Sequence, residues 1–247
     1  MTFKRWPSIE NHYRAKEITW WLNHYPELQD ERYVLTEKIH GSSVQLYFEP
    51  NKPYRVGTRN RLLSAGDKFF DIWNTLEQYQ DLITAFQGMV DKSNHTVRLF
   101  GELFGGNIQK GVKYQEEHKI AFFGLMMDDE LRPFCDFDTM MVYSGFGHLV
   151  VPIVKSVRGL DNALAYETEF NSKILGIDNN ICEGVVIQPY SKVYQSHNGA
   201  YFLIKKKNES FKEKTHAKKV IVIDSELTQL NIEFRRYITD NRLQGIF

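Results

Sequence analysis

Lys38 stands in the run Glu37-Lys38-Ile39-His40-Gly41, after a strand-like segment and just before a glycine turn. That placement pins the backbone beneath the amine. A lysine becomes a nucleophile when neighbouring cations or loss of water favour its uncharged form. Four further segments carry groups suited to the same chemistry. Arg98-Leu99-Phe100-Gly101-Glu102 ends a strand on a carboxylate, next to the glycine-rich Phe104-Gly105-Gly106-Asn107. Ile120-Ala121-Phe122-Phe123 offers an aromatic face for a purine. Glu183-Gly184-Val185-Val186-Ile187 opens a strand on a second carboxylate. In Leu203-Ile204-Lys205-Lys206-Lys207 side chains alternate, so Lys205 and Lys207 share a face and suit a phosphate. Alone, Lys38-x-His40-Gly41 is a match that chance supplies, and Lys38 would be a surface lysine in a turn. Jointly, carboxylates, an aromatic ring and two cations around one amine describe a site for a nucleoside triphosphate with a divalent metal.

These groups need a scaffold of strands. Tyr33 to Thr36 and Ser43 to Phe48 read as strands flanking the turn at Gly41, where the missing side chain frees the backbone. Tyr54 to Thr58 and Thr96 to Leu103 read as two more. Lys119 to Met127 and Leu131 to Phe134 flank Asp128-Asp129-Glu130 as a hairpin. Ile181 to Gln188 and Tyr201 to Lys206 complete the strand set. Asp71 to Val90 carries Ile72, Leu76, Tyr79, Leu82, Ile83 and Phe86 at helical spacing, and the pattern predicts one helix. Near the end, Ser225 is a good N-cap for an amphipathic helix bearing Leu227, Leu230, Phe234, Tyr237 and Ile238. The elements lack a steady βαβ rhythm, which points to an α+β fold rather than a doubly wound sheet. Residues 1–224 read as one catalytic domain. Residues 225–247 read as a C-terminal helix, the start of a further domain.

Composition sets the bounds. The 247 residues are 42% hydrophobic, 25% charged and 14% aromatic, the balance of a globular chain with a real core. Lys+Arg and Asp+Glu both number 31, so a polyanionic partner must be met by local clusters of charge. One cluster holds Lys52, Arg55, Arg59, Arg61 and Lys68; another runs from Lys205 to Lys219. Two cysteines, Cys135 and Cys182, give neither a disulfide framework nor a zinc spacing. No apolar stretch approaches membrane-spanning length, and the start lacks a secretory apolar region, so the expectation is a soluble, cytoplasmic or otherwise intracellular protein.

In this order the five segments resemble the signature motifs of the covalent nucleotidyltransferases, which comprise DNA ligases, RNA ligases and mRNA capping enzymes. The resemblance is nearest to the RNA ligase 2 family, because DNA ligases usually carry Asp where this chain has His40. Ser8-Ile9-Glu10-Asn11-His12-Tyr13 and the stretch from Phe100 to Lys110 also look like that family. The resemblance implies the nucleotidyltransferase (ATP-grasp-like DNA/RNA ligase) fold of antiparallel sheets flanked by helices. It implies ATP as the cofactor, with AMP carried as a covalent lysyl adduct, and Mg²⁺ or Mn²⁺. By position, Lys38 would carry AMP and His40 would serve later steps of sealing. Glu37 and Ile39 would meet the adenine edge, partly through backbone, Arg59 (with Arg55 competing) would contact sugar or phosphate, and Glu102 would bind ribose. Phe122, or its neighbour Phe123, would stack on adenine; Glu183 would hold the metal; Lys205 and Lys207 would hold the α-phosphate. Where phage-type members carry Asn, this chain has Ser43, whose hydroxyl reaches less far than an amide.

The implied activity is an ATP-dependent RNA ligase, acting as a monomer. It would join an RNA 5′-phosphate to a 3′-hydroxyl, at a nick in a duplex, with no membrane partner. A GTP-using capping-type guanylyltransferase and an inactive RNA-binding module are the alternatives.

Overall fold

A computed structural model describes residues 3–211. The chain opens with β1 (Glu10–Asn11), α1 (Ala15–His24), β2 (Arg32–Glu37), β3 (Ser42–Phe48) and β4 (Arg55–Thr58). Next come α2 (Ile72–Glu77), α3 (Gln80–Ser93), β5 (Val97–Phe104), β6 (Lys119–Met127), β7 (Glu130–Leu131) and α4 (Phe134–Tyr143). It continues through β8 (Ile153–Arg158), α5 (Leu160–Ala165), β9 (Gly184–Pro189) and β10 (Ile204–Lys207). The expected C-terminal helix from Ser225, and the part of the basic run beyond Phe211, lie outside the described residues.

Two five-stranded sheets carry the fold, one in the order β1-β10-β9-β2-β8 and one in the order β4-β3-β5-β6-β7. Every pairing is antiparallel except that of β1 with β10. The alternation of β3 and β5 puts Val44, Leu46, Phe48, Val97 and Leu99 against α2 and α3, whose Leu76, Leu82, Phe86 and Val90 fill the same core. Full burial of one such side chain is worth about 1.5–3 kcal/mol. The other sheet turns Tyr33, Leu35, Val185, Ile187 and Ile204 onto Trp21 of α1 and Leu160 of α5. The architecture is the α+β arrangement of antiparallel sheets flanked by helices that the sequence led us to expect.

Three element boundaries differ from the sequence reading. The helix predicted over Asp71 to Val90 is two helices broken at Gln78 and Tyr79. The Tyr79 hydroxyl donates to the carbonyl of Ile120 (3.2 Å) and accepts from its amide (2.7 Å). That buried bridge to β6 holds Tyr79 at φ −115°, outside helical geometry, so a tertiary bond overrides an unbroken apolar period. The segment Leu131 to Phe134 is not a strand: pairing ends at Leu131, and Pro133 is the N-cap of α4, where a missing N–H costs no helical hydrogen bond. The hairpin itself is present. Asp128 and Asp129 both take positive φ, 50° and 67°, as a two-residue turn of right-handed twist requires. Lastly, β9 begins at Gly184, so Glu183 lies one residue before the strand.

Candidate active site

The turn from Lys38 to Gly41 carries the chain from one sheet to the other, and hydrogen bonds from three main-chain amides fix its base. Glu37 donates to Pro152 O (2.8 Å), Lys38 donates to Gly184 O (2.9 Å), and the His40 amide donates to the Tyr114 hydroxyl (3.0 Å). Gly41 passes so close to β5 that a Cβ there would sit 2.2 Å from Leu103 O. Only glycine allows that approach, and the approach sets Lys38 beside Glu102.

Three side chains, two from this turn and one from β10, meet at the Glu183 carboxylate. Lys38 Nζ donates to Glu183 Oε2 at 2.8 Å, His40 Nδ1 lies 3.2 Å from the same oxygen, and Lys207 Nζ lies 3.2 Å from Oε1. The Glu183 side chain is only 4% exposed. Burial alone would push its carboxyl up, but the His40 hydrogen bond and the charges of Lys38 and Lys207 outweigh it and hold the group down at about 2. Glu183 is therefore ionised at neutral pH. The register explains how β10 delivers Lys207: it pairs Lys207 with Gly184 and Lys205 with Val186, so both lysines project from the face that bears Lys38. Between them Lys206 points away, donating to the carbonyls of Leu164 (2.8 Å) and Tyr166 (2.7 Å).

Glu102 completes the group from the other sheet, opposite Ser43. It keeps some exposure, yet protein atoms crowd it. Desolvation pushes its carboxyl up to about 7, Glu183 adds to the rise, and Lys38, the Gly41 amide and His40 partly oppose it. Two carboxyls beside one amine thus titrate far apart, the pattern typical of functional sites.

Phe122 is placed otherwise than expected. Its ring is fully buried in the helix-facing core, edge-on to Tyr79 at 6.1 Å, and presents no face to a ligand. The cause is a register shift in the pairing of β5 with β6 at Phe100/Gly101, which turns Phe123 out of strict alternation. Phe123 packs instead beside the small cluster of Ile39, Phe104, Ala121 and Val151 next to the Lys38 turn. The Glu37 side chain is engaged within the protein. Its side chain is 1% exposed, and its two oxygens accept from Ser172 Oγ (2.6 Å) and the Lys173 amide (2.7 Å). Burial raises its carboxyl, with Ser172 and Lys173 opposing. Its side chain is a clamp on the loop before β9 rather than an open contact for a base. Ile39 is likewise buried, at 4% exposure.

Arg59 sits exposed on a tight turn in which the Thr58 hydroxyl accepts from the amides of Asn60 and Arg61. Among the described residues no contact joins it to the Lys38 group. The competing Arg55 is tied to Glu49 and lies over the Tyr47 ring, 4.7 Å from its centroid. Several neighbours of the site have no signature in the sequence. Tyr114 receives the His40 amide. Asn180 bonds both main-chain groups of Lys113 (2.7 and 2.8 Å), and Phe211 packs edge-on to His40 at 5.1 Å. Tyr114 and Asn180 lie in aperiodic loops and Phe211 in a single 3-10 turn, where neither spacing nor residue type marks them. Cys135 and Cys182 are free thiols, as their number and spacing led us to expect. Among the described residues no helix is long and apolar enough to cross a membrane.

Structures of Naegleria gruberi RNA ligase share this fold. An apo form superposes with a TM-score of 0.63 at 18% identity, over 85% of this chain and 56% of that one. A form with ATP and manganese gives 0.61 at 17% identity, over 85% and 57%. One with AMP and manganese gives 0.60 at 16%, again over 85% and 57%. This chain thus spans somewhat over half the length of the Naegleria chains. The model of the RNA ligase family matches residues 31–212, about three quarters of the sequence and every charged group gathered around Glu183. The chain belongs to the RNA ligase family.

Proposed function

We propose that this chain is the nucleotidyl-transferring part of an ATP-dependent RNA ligase, with Lys38 as the nucleophile. The observation that carries the reading is the convergence of Lys38, His40 and Lys207 on the buried Glu183, with Glu102 beside them. In the first step Lys38 Nζ, freed of its bond to Glu183 and of its proton, attacks the α-phosphorus of ATP. A P–N bond forms, and pyrophosphate leaves with the electrons of the broken P–O bond. The adenylyl group then passes to an oxygen of an RNA 5′-phosphate, which regenerates the lysine amine. Finally a 3′-hydroxyl attacks that phosphorus and AMP departs. All three steps are in-line transfers in which the protein positions groups and neutralises charge.

Lys205 and Lys207 share the face on which the α-phosphate would lie. Phe123 takes over the stacking role first assigned to Phe122, and Glu102 would receive the ribose hydroxyl. Arg59 would reach sugar or phosphate, and His40 would act in the later steps. Among the described residues no three His, Cys, Asp or Glu side chains stand together as a metal-ligand set. The ionised Glu183 is an oxygen donor that would suit Mg²⁺ or Mn²⁺ arriving on the triphosphate, the usual mode for nucleotide-bound magnesium. When bound, that metal neutralises phosphate charge. The RNA partner would present 5′-phosphate and 3′-hydroxyl ends, with a nicked duplex as the proposed geometry.

Intact mass after incubation with ATP and Mg²⁺ tests the reading. One added AMP is expected on the native chain and none on Lys38→Ala. An adduct that persists in Lys38→Ala would refute the nucleophile, and an adduct from GTP alone would make the protein a guanylyltransferase. No adduct from either nucleotide, with RNA binding intact, would leave an inactive RNA-binding module.

A further inference from the structure

Trp6 belongs to none of the motifs around Lys38, yet it lies against the aromatic side of the site. Its indole is 5.0 Å from the Phe123 ring at 75°, edge to face, and 5.1 Å from Phe100 at 57°. Its benzo edge rests directly on the β6 backbone at Gly124. A Cβ at that position would fall 2.3 Å from Cη2 of Trp6. The indole therefore occupies a socket with Phe100 and Phe123 as walls and a side-chain-free residue as floor. Phe123 is also the residue at which the β5–β6 register shifts, so its ring stands outside the strict alternation of β6.

The chain leaving Trp6 then touches the opposite wall of the site. Glu10 donates to Leu203 O (2.8 Å) and His12 to Lys205 O (3.0 Å), which adds β1 beside the lysine strand. Residues 6–12 thus span from the aromatic shelf on one sheet to the strand of Lys205 and Lys207 on the other.

We infer that Trp6 is a positioning residue for the nucleotide. Through Phe123 it holds the stacking ring at a fixed tilt, and through β1 it ties that ring to the phosphate-facing lysines. The inference rests on the ATP reading of the site given above. Edge-to-face aromatic pairs prefer one orientation, so removing the indole frees the Phe123 ring to rotate and lowers the affinity for the purine.

The test is the rate of lysyl-AMP formation as a function of ATP concentration, on the full chain. Trp6→Ala is expected to raise the KM for ATP roughly tenfold, with the maximal rate changed less than about threefold. Trp6→Phe, which keeps a ring, is expected to recover most of the loss. Gly124→Ala expels the indole without removing it and should give the same KM shift, and the double variant should be no worse than either single one. Should Trp6→Ala fold poorly, Gly124→Ala still decides the matter. An unchanged KM in the single variants, or a Trp6→Phe variant as weak as Trp6→Ala, would overturn the inference while leaving ligase chemistry intact. Absence of any adduct on the native chain would instead sink the ATP reading itself.

Discussion

Glu102→Gln should make this protein more stable above neutral pH, although it removes a group from the site. An unfolded chain releases this proton near 4.5, whereas the fold holds it to about 7. A gap of about 2.5 pH units at about 1.36 kcal/mol each makes the ionised side chain cost on the order of 3 kcal/mol at pH 8.5. The sign follows from a raised acid: this contribution favours the fold below pH 4.5, declines as pH rises, and is fully lost above 7. Glutamine mimics the protonated form and can still accept from the Gly41 amide. At roughly 2–4 °C per kcal/mol for a domain of this size, the gain at pH 8.5 should be about 6–12 °C in Tm, shrinking towards zero at pH 5. Glu183 does not interfere in that window. Its carboxyl is held at about 2, so its stabilisation is present above 4.5 and is lost only as pH falls towards 2. Calorimetric melts of both proteins at pH 5 and pH 8.5 provide the assay. If the glutamine variant melts no higher than the native protein at pH 8.5, desolvation does not govern Glu102.

Lys207→Met keeps the stem but removes the cation 3.2 Å from Glu183. Lysyl-AMP formation in a single-turnover assay should fall by about 10²–10³-fold, the usual loss for one charge-stabilising donor, while a fall below threefold would remove Lys207 from the phosphate site. Tyr79→Phe leaves both main-chain groups of Ile120 short of a buried partner. Urea unfolding should register a loss of about 1–3 kcal/mol with adduct formation preserved; an unchanged midpoint would mean that the hydroxyl does not hold the break between α2 and α3.

Much of the site was legible because it obeys local rules. Alternation alone puts Lys205 and Lys207 on one face, and the β9–β10 register directs that face to Lys38. Gly41 supplies the missing side chain that its close pass by β5 requires, and the hairpin at Asp128 and Asp129 uses a residue type that tolerates positive φ. Other features depend on partners that no window of sequence contains. Whether Phe122 or Phe123 faces the site turns on a one-residue register shift between β5 and β6, which reverses the side-chain parity of a whole strand end. The break in the long helix needs Ile120, 41 positions away, to capture the Tyr79 hydroxyl. The Glu37 carboxylate is covered by a loop 135 residues later, which no spacing along the chain shows. The sequence by itself determined which charged groups exist, which strands and turns carry them to within a residue, and to which family the chain belongs. Tertiary structure decided their electrostatics. Glu102 and Glu183 are the same residue type, and only burial and the placing of Lys38, His40 and Lys207 hold one at about 7 and the other at about 2.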